Sequence, residues 1–294
     1  MNPQSCLYTL MHADRERHEE ILSDLVTPVV REIAGHPDLD SLFFARYNEP
    51  DWQVRFRVLG RPGWVEGPVR SLMERRLEPL VKGGVIDSHE FAEYEREYER
   101  YGGEEGMALA EKLFLHDTIA CLDIMDADRR GRLGKSRREI SMLLTDRFLD
   151  LMSFDSRRRS DFYKFGYSWA LSMNTWQEEE LGILNEKYES LRPGLTSLFF
   201  GSRGEDAVAV YGSEEAARIA ERYLASSKEV TGQILAAHAA GRVKQDLVYL
   251  AWSYTHMQCN RLGIDPTPEA ILRYFMHRLM QESAGVSGGA PPPP

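Results

Sequence analysis

The chain has 294 residues, of which 43% are hydrophobic, and a formal net charge of −10 at neutral pH. This length and apolar content allow a sizeable core, built as one large domain or as two small ones. A chain this acidic lacks the basic surface that general affinity for nucleic acid requires. No run approaches the roughly 18 apolar residues of a membrane helix.

The cysteines, the first residues and the common motifs limit the chemistry further. Cys6, Cys121 and Cys259 are odd in number and far apart, which predicts reduced core residues rather than a disulfide framework or a zinc site. The first residues contain no basic region followed by an apolar one, so we expect a cytoplasmic protein. The sequence has no HExxH, GxGxxG or GxSxG motif and no phosphate-binding loop, and we predict neither a metal nor a cofactor.

The first 103 residues alternate predicted strands with predicted helices. The predicted strands are residues 6–12, 41–47, 51–60 and 85–91, and the predicted helices are residues 14–34 and 68–81. A turn at residues 48–51 joins the second and third strands into a hairpin. This β-α-β-β-α-β order is typical of a ferredoxin-like sheet, antiparallel or mixed, with helices on one face.

From residue 104 onward nearly every segment has helical period. The predicted helices are residues 107–124, 139–152, 160–176, 176–185, 191–200, 213–238, 243–262 and 267–281. We therefore predict an α+β protein with a single domain over residues 1–282, in which a sheet-containing part (1–103) packs with a larger helical part (104–282). Residues 283–294 are rich in Gly and Pro and are predicted to be a disordered tail.

Two further patterns concern helix ends and surface charge. Ser213 and Thr267 are each followed by acidic residues, which predicts that both are N-cap residues. Residues 129–138 and 157–159 are rich in arginine. These two stretches are either solvated faces or a docking surface for an acidic partner.

The predicted strand 51–60 carries two arginines inside an apolar run. Period two places Arg55 and Arg57 on one face of the strand and Val54, Phe56 and Val58 on the other. A guanidinium stays charged and matches the geometry of a carboxylate, so the pair calls for internal acids or for an acidic ligand. The alternative is a half-exposed strand with solvated arginines.

Residues 94–103, YEREYERYGG, form a second unusual stretch. Glu97 and Arg100 are three residues apart and are neighbours on one helical face, which by itself is typical of a charged surface helix. Tyr98 and Tyr101 beside the arginine favour a packed environment instead.

The third stretch is residues 252–262, WSYTHMQCNRL. Helical spacing sends Trp252, His256, Cys259 and Asn260 to one side. A histidine in such a setting is either a hydrogen-bonded core residue or a general acid or base, because its side chain titrates near neutral pH.

In their order along the chain, these stretches resemble a known family. LFFARY, WQVRFRVLG, EYERYGG, AEKLFLHDT and SYTHMQCNRLG are similar in order and spacing to the C-terminal elimination domain of class I lantibiotic dehydratases, over about residues 6–281. The same domain occurs as a separate protein in thiopeptide biosynthesis. The resemblance implies an enzyme that removes glutamate from a glutamylated serine or threonine of a precursor peptide, leaving dehydroalanine or dehydrobutyrine.

The resemblance also implies roles for particular residues. Arg55 and Arg57 match the family's sheet arginines, Arg100 matches the arginine of the YGG run, Glu97 its acidic neighbour, and His256 the histidine of the late helix. His256, Arg57 and Arg100 are thus the implied catalytic residues. Arg55, Arg57, Glu97 and Arg100 are the implied glutamate-binding residues.

One position departs from the family pattern, and it lies in the arginine strand. The family often has a histidine at the position of Gln53, so this chain lacks a titratable group there. Whether this matters depends on the face of the strand that Gln53 occupies.

The implied partners are a precursor peptide with a leader and a separate tRNA-dependent glutamylating protein. The resemblance also allows a homodimer, and we expect neither membrane association nor direct nucleic-acid binding.

Two alternative functions stay open. A related branch, the thiopeptide pyridine synthases, joins two dehydroalanines in a formal [4+2] cycloaddition with loss of the leader peptide. A non-catalytic protein that binds the peptide is the third hypothesis.

Overall fold

A four-stranded antiparallel sheet occupies the N-terminal part of the computed structural model, which describes residues 4–172, 176–201 and 206–287. The strands are β1 (Ser5–His12), β2 (Leu39–Tyr47), β3 (Gln53–Gly60) and β4 (Ser88–Ala92). Their spatial order is β2-β3-β1-β4, and all three pairings are antiparallel. This order confirms the ferredoxin-like prediction and selects the antiparallel form over a mixed sheet.

Short helical segments cover one face of this sheet. They are α1 (His18–Ile21), α2 (Thr27–Ile33), α3 (Pro62–Trp64) and α4 (Arg70–Lys82). A π turn at Leu22–Val26 separates α1 from α2, and another at Val65–Val69 separates α3 from α4. Pro28 follows the first π turn, and Pro68 lies inside the second. A proline has no N–H to donate, so each interrupts the regular hydrogen bonding of its helix. The predicted helices 14–34 and 68–81 are therefore interrupted, and the second begins earlier, at Pro62.

The start of β4 also differs from the prediction of residues 85–91. The amide groups of Val85 and Ile86 donate to the carbonyl of Leu80, at 2.9 and 3.2 Å, and so close the end of α4. Because these amides are used by the helix end, pairing with β1 begins only at Ser88.

The described part beyond residue 103 is helical, as predicted, with different boundaries. The helices are α5 (Glu104–Arg129), α6 (Arg137–Leu151), α7 (Ser156–Ser172), α8 (Glu178–Thr196), α9 (Ala207–Tyr211), α10 (Glu214–Ala239), α11 (Leu247–Arg261) and α12 (Pro266–Ser287). The predicted helices 176–185 and 191–200 are one helix, α8, which continues into a π turn at Ser197–Gly201. No helix within the described ranges combines the length and the apolar content that crossing a bilayer requires.

Helix caps explain several of these boundaries. Ser213 is confirmed as an N-cap, because its Oγ accepts the amide of Ala216 at 3.1 Å. The prediction for Thr267 was wrong: α12 begins at Pro266, whose ring suits the first helical turn. Residue 243 was also a wrong start for α11, because the Asp246 side chain caps that helix.

The last helix, α12, continues through Ser287, so residues 283–287 are helical rather than disordered. Residues 288–294 lie outside the described residues.

The helical part packs against the second face and the edge of the sheet. Helix α5 crosses β2, where Ser41 Oγ donates to the Glu111 carbonyl at 2.5 Å and the rings of Phe43 and Phe114 lie 5.2 Å apart. The end of α11 lies against the outer edge of the same strand. This arrangement places α11 beside the sheet face that carries the arginines.

Candidate active site

Arg55 and Arg57 share one face of β3, as the alternation predicts. Val54, Phe56 and Val58 are completely buried on the opposite, helix-covered face. The partner residues across the ladders are Leu10 and Ala45 for Arg55, and Tyr8 and Phe43 for Arg57. The two arginines therefore look toward the helical part of the protein.

Arg57 lies in a box of aromatic rings. Its guanidinium carbon is 4.0 Å from the ring centroid of Tyr8, 5.1 Å from that of Tyr94 and 5.3 Å from that of Phe43. The side chain is 9% exposed, and its Nε is buried without a hydrogen-bond partner among the described residues. Burial raises the pKa of Tyr94 far above its ordinary value, so that hydroxyl stays neutral and offers Arg57 no counter-charge.

The missing counter-charge distinguishes Arg57 from other buried arginines. Within the described part of the chain, four arginines are buried. Arg159 pairs with Asp146, Arg261 with Asp117 and Arg273 with Glu269, at 2.7, 2.5 and 3.4 Å. Arg57 forms no ion pair with a carboxylate of the described residues, and the buried Glu111, which lies beside Tyr94, pairs with Arg96 at 2.7 Å instead. A buried cation without an anion is energetically unfavourable, which is the property expected of a site that receives an anionic ligand.

Arg55 is also without a carboxylate partner in the described part of the protein. Its guanidinium carbon stacks 3.7 Å from the ring centroid of Tyr47, and its NH2 donates to the Glu49 carbonyl at 3.1 Å. Its Nε donates to the amide oxygen of Gln53 at 3.2 Å. Gln53 is completely buried on the arginine face, so its amide helps to hold Arg55 in place.

Arg100 joins the loop before α5 to helix α11. Its NH1 forms an ion pair with Glu97 at 2.9 Å, and its Nε donates to Ser253 Oγ at 3.4 Å. The Arg100 side chain is 21% exposed, whereas that of Glu97 is 51% exposed, so the glutamate faces solvent. Gly102 lets this loop pack closely against the segment that precedes α11. It has φ +81°, and a Cβ there would lie 2.9 Å from the Gln245 amide nitrogen.

His256 lies on α11, one turn beyond Ser253. Its Nδ1 is 2.7 Å from Oε2 of Glu269 on α12, and its ring stacks on Trp252 at 5.2 Å with an interplanar angle of 14°. Glu269 is 4% exposed and also contacts Arg273. The carboxylate therefore fixes the orientation of the imidazole, leaving Nε2 as the ring nitrogen that can exchange a proton. The His256 side chain is 26% exposed.

The five predicted site residues come together only in part. Arg100 pairs with Glu97 and contacts Ser253, one turn before His256 on α11, but among the described residues no hydrogen bond, ion pair or ring contact joins Arg100 or Glu97 to His256. The ring of Tyr47, on which Arg55 stacks, lines a pocket of about 480 Å³ together with His256. Arg57 lies farther along β3. Among the described residues no hydrogen bond, ion pair or ring contact joins Arg57 to His256, and neither arginine of β3 lines that pocket.

Two side chains of this region are not evident from the sequence. Glu269 follows Thr267 as an acid in the first turn of a predicted helix, and nothing local indicates that it pairs with a histidine. Tyr47 is the last residue of a predicted strand. The predicted hairpin could have indicated it, because a turn at residues 48–51 places the end of the second strand opposite the start of the third, and the structure pairs Tyr47 with Gln53 on the arginine face.

Asn260 and Arg261 have a structural position instead. Asn260 Oδ1 accepts the Arg46 amide at 2.8 Å, and its Nδ2 donates to the Arg46 carbonyl at 2.7 Å. Arg261 Nε donates to the Phe44 carbonyl at 2.8 Å. These groups satisfy the free edge of β2 as a neighbouring strand would. Part of the late-helix motif therefore closes the sheet.

The described ranges contain no cluster of three or more His, Cys, Asp or Glu side chains arranged to hold a metal ion. The cysteines form no disulfide, and burial raises the pKa of the Cys6 and Cys259 thiols to about 12. The thiols are therefore neutral at physiological pH.

Comparison with known proteins shows both sequence and structural relatives. Subtilin biosynthesis protein SpaB of Bacillus subtilis is 26% identical over 144 residues, which are 49% of this chain and 14% of SpaB. The tRNA-dependent lantibiotic dehydratase MibB from Microbispora sp. 107891 superimposes with a TM-score of 0.76 at 20% identity, covering 97% of this chain and 28% of MibB. The pyridine synthase TbtD from thiomuracin biosynthesis gives a TM-score of 0.71 at 13% identity, covering 96% of this chain and 99% of TbtD.

At these identities the solved structures show a shared fold. The chain spans only a small part of SpaB and of MibB. The family described as lantibiotic biosynthesis dehydratase C-term matches residues 7–280, nearly all of the described chain. The chain therefore belongs to the family of lantibiotic dehydratase C-terminal domains.

Proposed function

We propose that the protein eliminates glutamate from glutamylated serine or threonine residues of a ribosomally made precursor peptide, which would make it a carbon–oxygen lyase. The observation that carries the proposal is the pair Arg55 and Arg57, which share one sheet face without a carboxylate partner among the described residues. A glutamyl ester brings one carboxylate to the enzyme, and the departing glutamate has two. Charge-assisted contacts with guanidinium groups would bind both.

The aromatic box would strengthen these contacts. Tyr8, Phe43 and Tyr94 exclude water from Arg57, and an ion pair in such a region is stronger than one in water. Arg100, held between Glu97 and Ser253, would add a third cation near α11. In this proposal Arg55, Arg57, Glu97 and Arg100 form the glutamate site.

His256 would carry the proton transfer. Its Nε2 takes the α-proton of the modified residue, the released electron pair forms the Cα–Cβ double bond, and the Cβ–O bond breaks to release glutamate. Glu269 stabilises the resulting imidazolium at Nδ1. Arg100 stabilises the enolate charge that develops at the peptide carbonyl. The electron pair moves only within the substrate, so the reaction requires no redox cofactor.

The proposed context follows the same chemistry. The substrate would be a precursor peptide with a leader, glutamylated by a separate tRNA-dependent protein. We place the reaction in the cytoplasm, where glutamyl-tRNA is available. A homodimer also stays a proposal.

A second candidate is the pyridine synthase reaction. It is favoured by the similarity to TbtD over 99% of that chain, and by Tyr8, Tyr94 and Ser253 near the arginines. A cycloaddition releases no glutamate and gives the pair Arg55 and Arg57 no evident anion to bind. We therefore rank elimination first.

The deciding experiment incubates the protein with a synthetic glutamylated peptide and follows free glutamate and peptide mass. Elimination predicts glutamate release with formation of dehydroalanine. An inert glutamyl ester, together with ring formation from a peptide that already carries two dehydroalanines, would establish the cycloaddition instead. Binding of the peptide without either reaction would favour the non-catalytic hypothesis.

Two substitutions at Glu269 test the proton-transfer assignment. Glu269→Gln should lower kcat by about 100-fold with a smaller effect on KM, because the imidazolium loses its carboxylate. Glu269→Asp should restore part of the activity, since it keeps the charge. If both variants fold and release glutamate at the parent rate, His256 does not act as the base through this pair.

A further inference from the structure

A groove lies on the helical part, and no residue of the sheet lines it. Helices α6, α8, α9 and α12 form its walls, and its volume is about 560 Å³. This size falls within the range of about 300–1,000 Å³ that is typical of ligand pockets. The floor is apolar, with Met142, Leu195, Ile271 and Phe275 among the lining side chains. Leu191 on the rim is 43% exposed and extends the apolar floor toward solvent.

Three basic side chains stand at this groove. They are Lys135, Arg138 and Lys187, and none forms an ion pair with another described residue. The acidic side chain at the groove, Glu139, is held in the capping box of α6 by Ser136. The groove is thus apolar inside and locally basic at its rim, although the whole chain carries a net charge of −10.

This location also resolves an ambiguity about the basic stretch 129–138. Arg129 and Arg130 pair with Asp126, and Arg137 pairs with Glu19 and Asp128. Arg138 instead faces the groove without a partner in the described chain. The stretch therefore divides into internally neutralised arginines and a basic contribution to the groove.

We propose that this groove binds an acidic amphipathic helix of a partner polypeptide. The apolar face of that helix covers the leucine and isoleucine floor, and its acidic residues pair with the three rim cations. An extended segment fits less well, because every wall is a helix whose backbone groups are used internally. A docked strand would find no free edge, whereas a helix satisfies its own backbone. Residues 288–294 of this chain contain no acid and do not match the rim.

The test uses a fluorescein-labelled synthetic helix of roughly 18 residues, about five turns. Its leucines follow i, i+3 and i+4 spacing, and its polar face is glutamate. A second probe keeps the leucines and replaces glutamate by lysine. Fluorescence anisotropy should show binding of the acidic probe, weakened by added salt, and no binding of the basic probe.

Variants with matched controls locate the site. The triple variant Lys135→Glu, Arg138→Glu, Lys187→Glu should raise the Kd for the acidic probe about tenfold or more. The control triple Arg157→Glu, Arg158→Glu, Lys228→Glu changes the net charge equally at exposed positions outside the groove, and should leave the Kd within about twofold.

A second pair of variants tests the apolar contribution to binding separately from the contribution of charge. Leu191→Ser should weaken binding, and Ile183→Ser should not, although Ile183 is the more exposed side chain of α8 at 59%. Equal effects of groove and control variants would overturn the proposal, as would absence of binding. A dimer in sedimentation that Leu191→Ser dissociates would also overturn it, because a second copy would then fill the groove. The glutamate-release assay is independent of these outcomes, since it needs no acidic helix.

Discussion

At the scale of single residues, Arg57 gives the most information about the proposed site. Its positive charge is buried among three rings and lacks the carboxylate that each of the other buried arginines has in the described chain. Each cation–π contact offsets about 0.5–2 kcal/mol of a desolvation cost that is several kcal/mol for a buried ion. A residue kept at a cost to stability is more readily explained by ligand binding than by folding.

The variant Arg57→Met separates stability from activity. Methionine fills a similar volume without a charge, so we expect the melting temperature not to fall, while glutamate release decreases by about 100-fold or more. Calorimetry and the glutamate-release assay give the two measurements. Arg70→Met is the control, because Arg70 also stacks on a ring, that of Phe91, but outside the proposed site. A large loss of stability in Arg57→Met would mean that the arginine is structural.

His18 leads to a prediction about acid stability. Burial and, to a smaller extent, the nearby Arg46 cation lower the pKa of His18 from 6.5 to about 4. The unfolded chain therefore binds a proton between pH 6.5 and about 4 that the folded chain does not, and stability falls as the pH falls through this window. His18→Phe should reduce the difference between urea midpoints at pH 7.5 and pH 5. The parent protein, measured at the same two pH values, is the control.

At the scale of elements, helix α11 has two roles on one short segment. Ser253 and His256 face the proposed site, and Asn260 and Arg261 close the edge of β2. The edge contacts help to fix the rotation of α11, because Asn260 bonds both backbone groups of Arg46. The position of His256 therefore depends on how the sheet edge is closed.

Asn260→Ala tests this coupling. Removing the amide leaves the Arg46 N–H and C=O without partners, and we expect a loss of about 1–3 kcal/mol in the free energy of unfolding. Asn260→Asp keeps an acceptor for the N–H but loses the donor, so its effect should be no smaller. Denaturant titration measures both. Parent-like stability of both variants would show that the edge is closed by other groups.

At the scale of the molecule, the sheet and the helical part share one core. Buried side chains run without interruption from β1 through α5 to α12. Ion pairs such as that of Arg31 with Asp126 add further connections across the boundary. The proposal of a single domain over residues 1–282 follows from this continuity.

A single domain predicts one cooperative unfolding transition. A variant that retains only Trp64 reports on the sheet part by fluorescence, whereas far-UV circular dichroism reports mainly on the helices. The two urea curves should share one midpoint. Separated midpoints would divide the chain into two folding units. The parent protein, measured by both methods, is the control for the tryptophan substitutions.

The sequence by itself determined the kinds of element, their order and the common face of Arg55 and Arg57. Apolar periodicity is a local property, so it could be read without the fold. Helix ends were less predictable, because they depend on which group caps each terminus. The Asp246 side chain moved the start of α11, and the amides of Val85 and Ile86 moved the start of β4.

Only the tertiary structure decided which charges meet. Glu269 reaches His256 across the turn between two helices, and Asn260 reaches Arg46 across 214 positions of the chain. That Arg57 forms no ion pair with a described carboxylate is likewise a property of the packed neighbours, and no local pattern encodes it. Pairing between distant polar groups depends on the path of the whole chain, which the spacing of apolar residues does not determine.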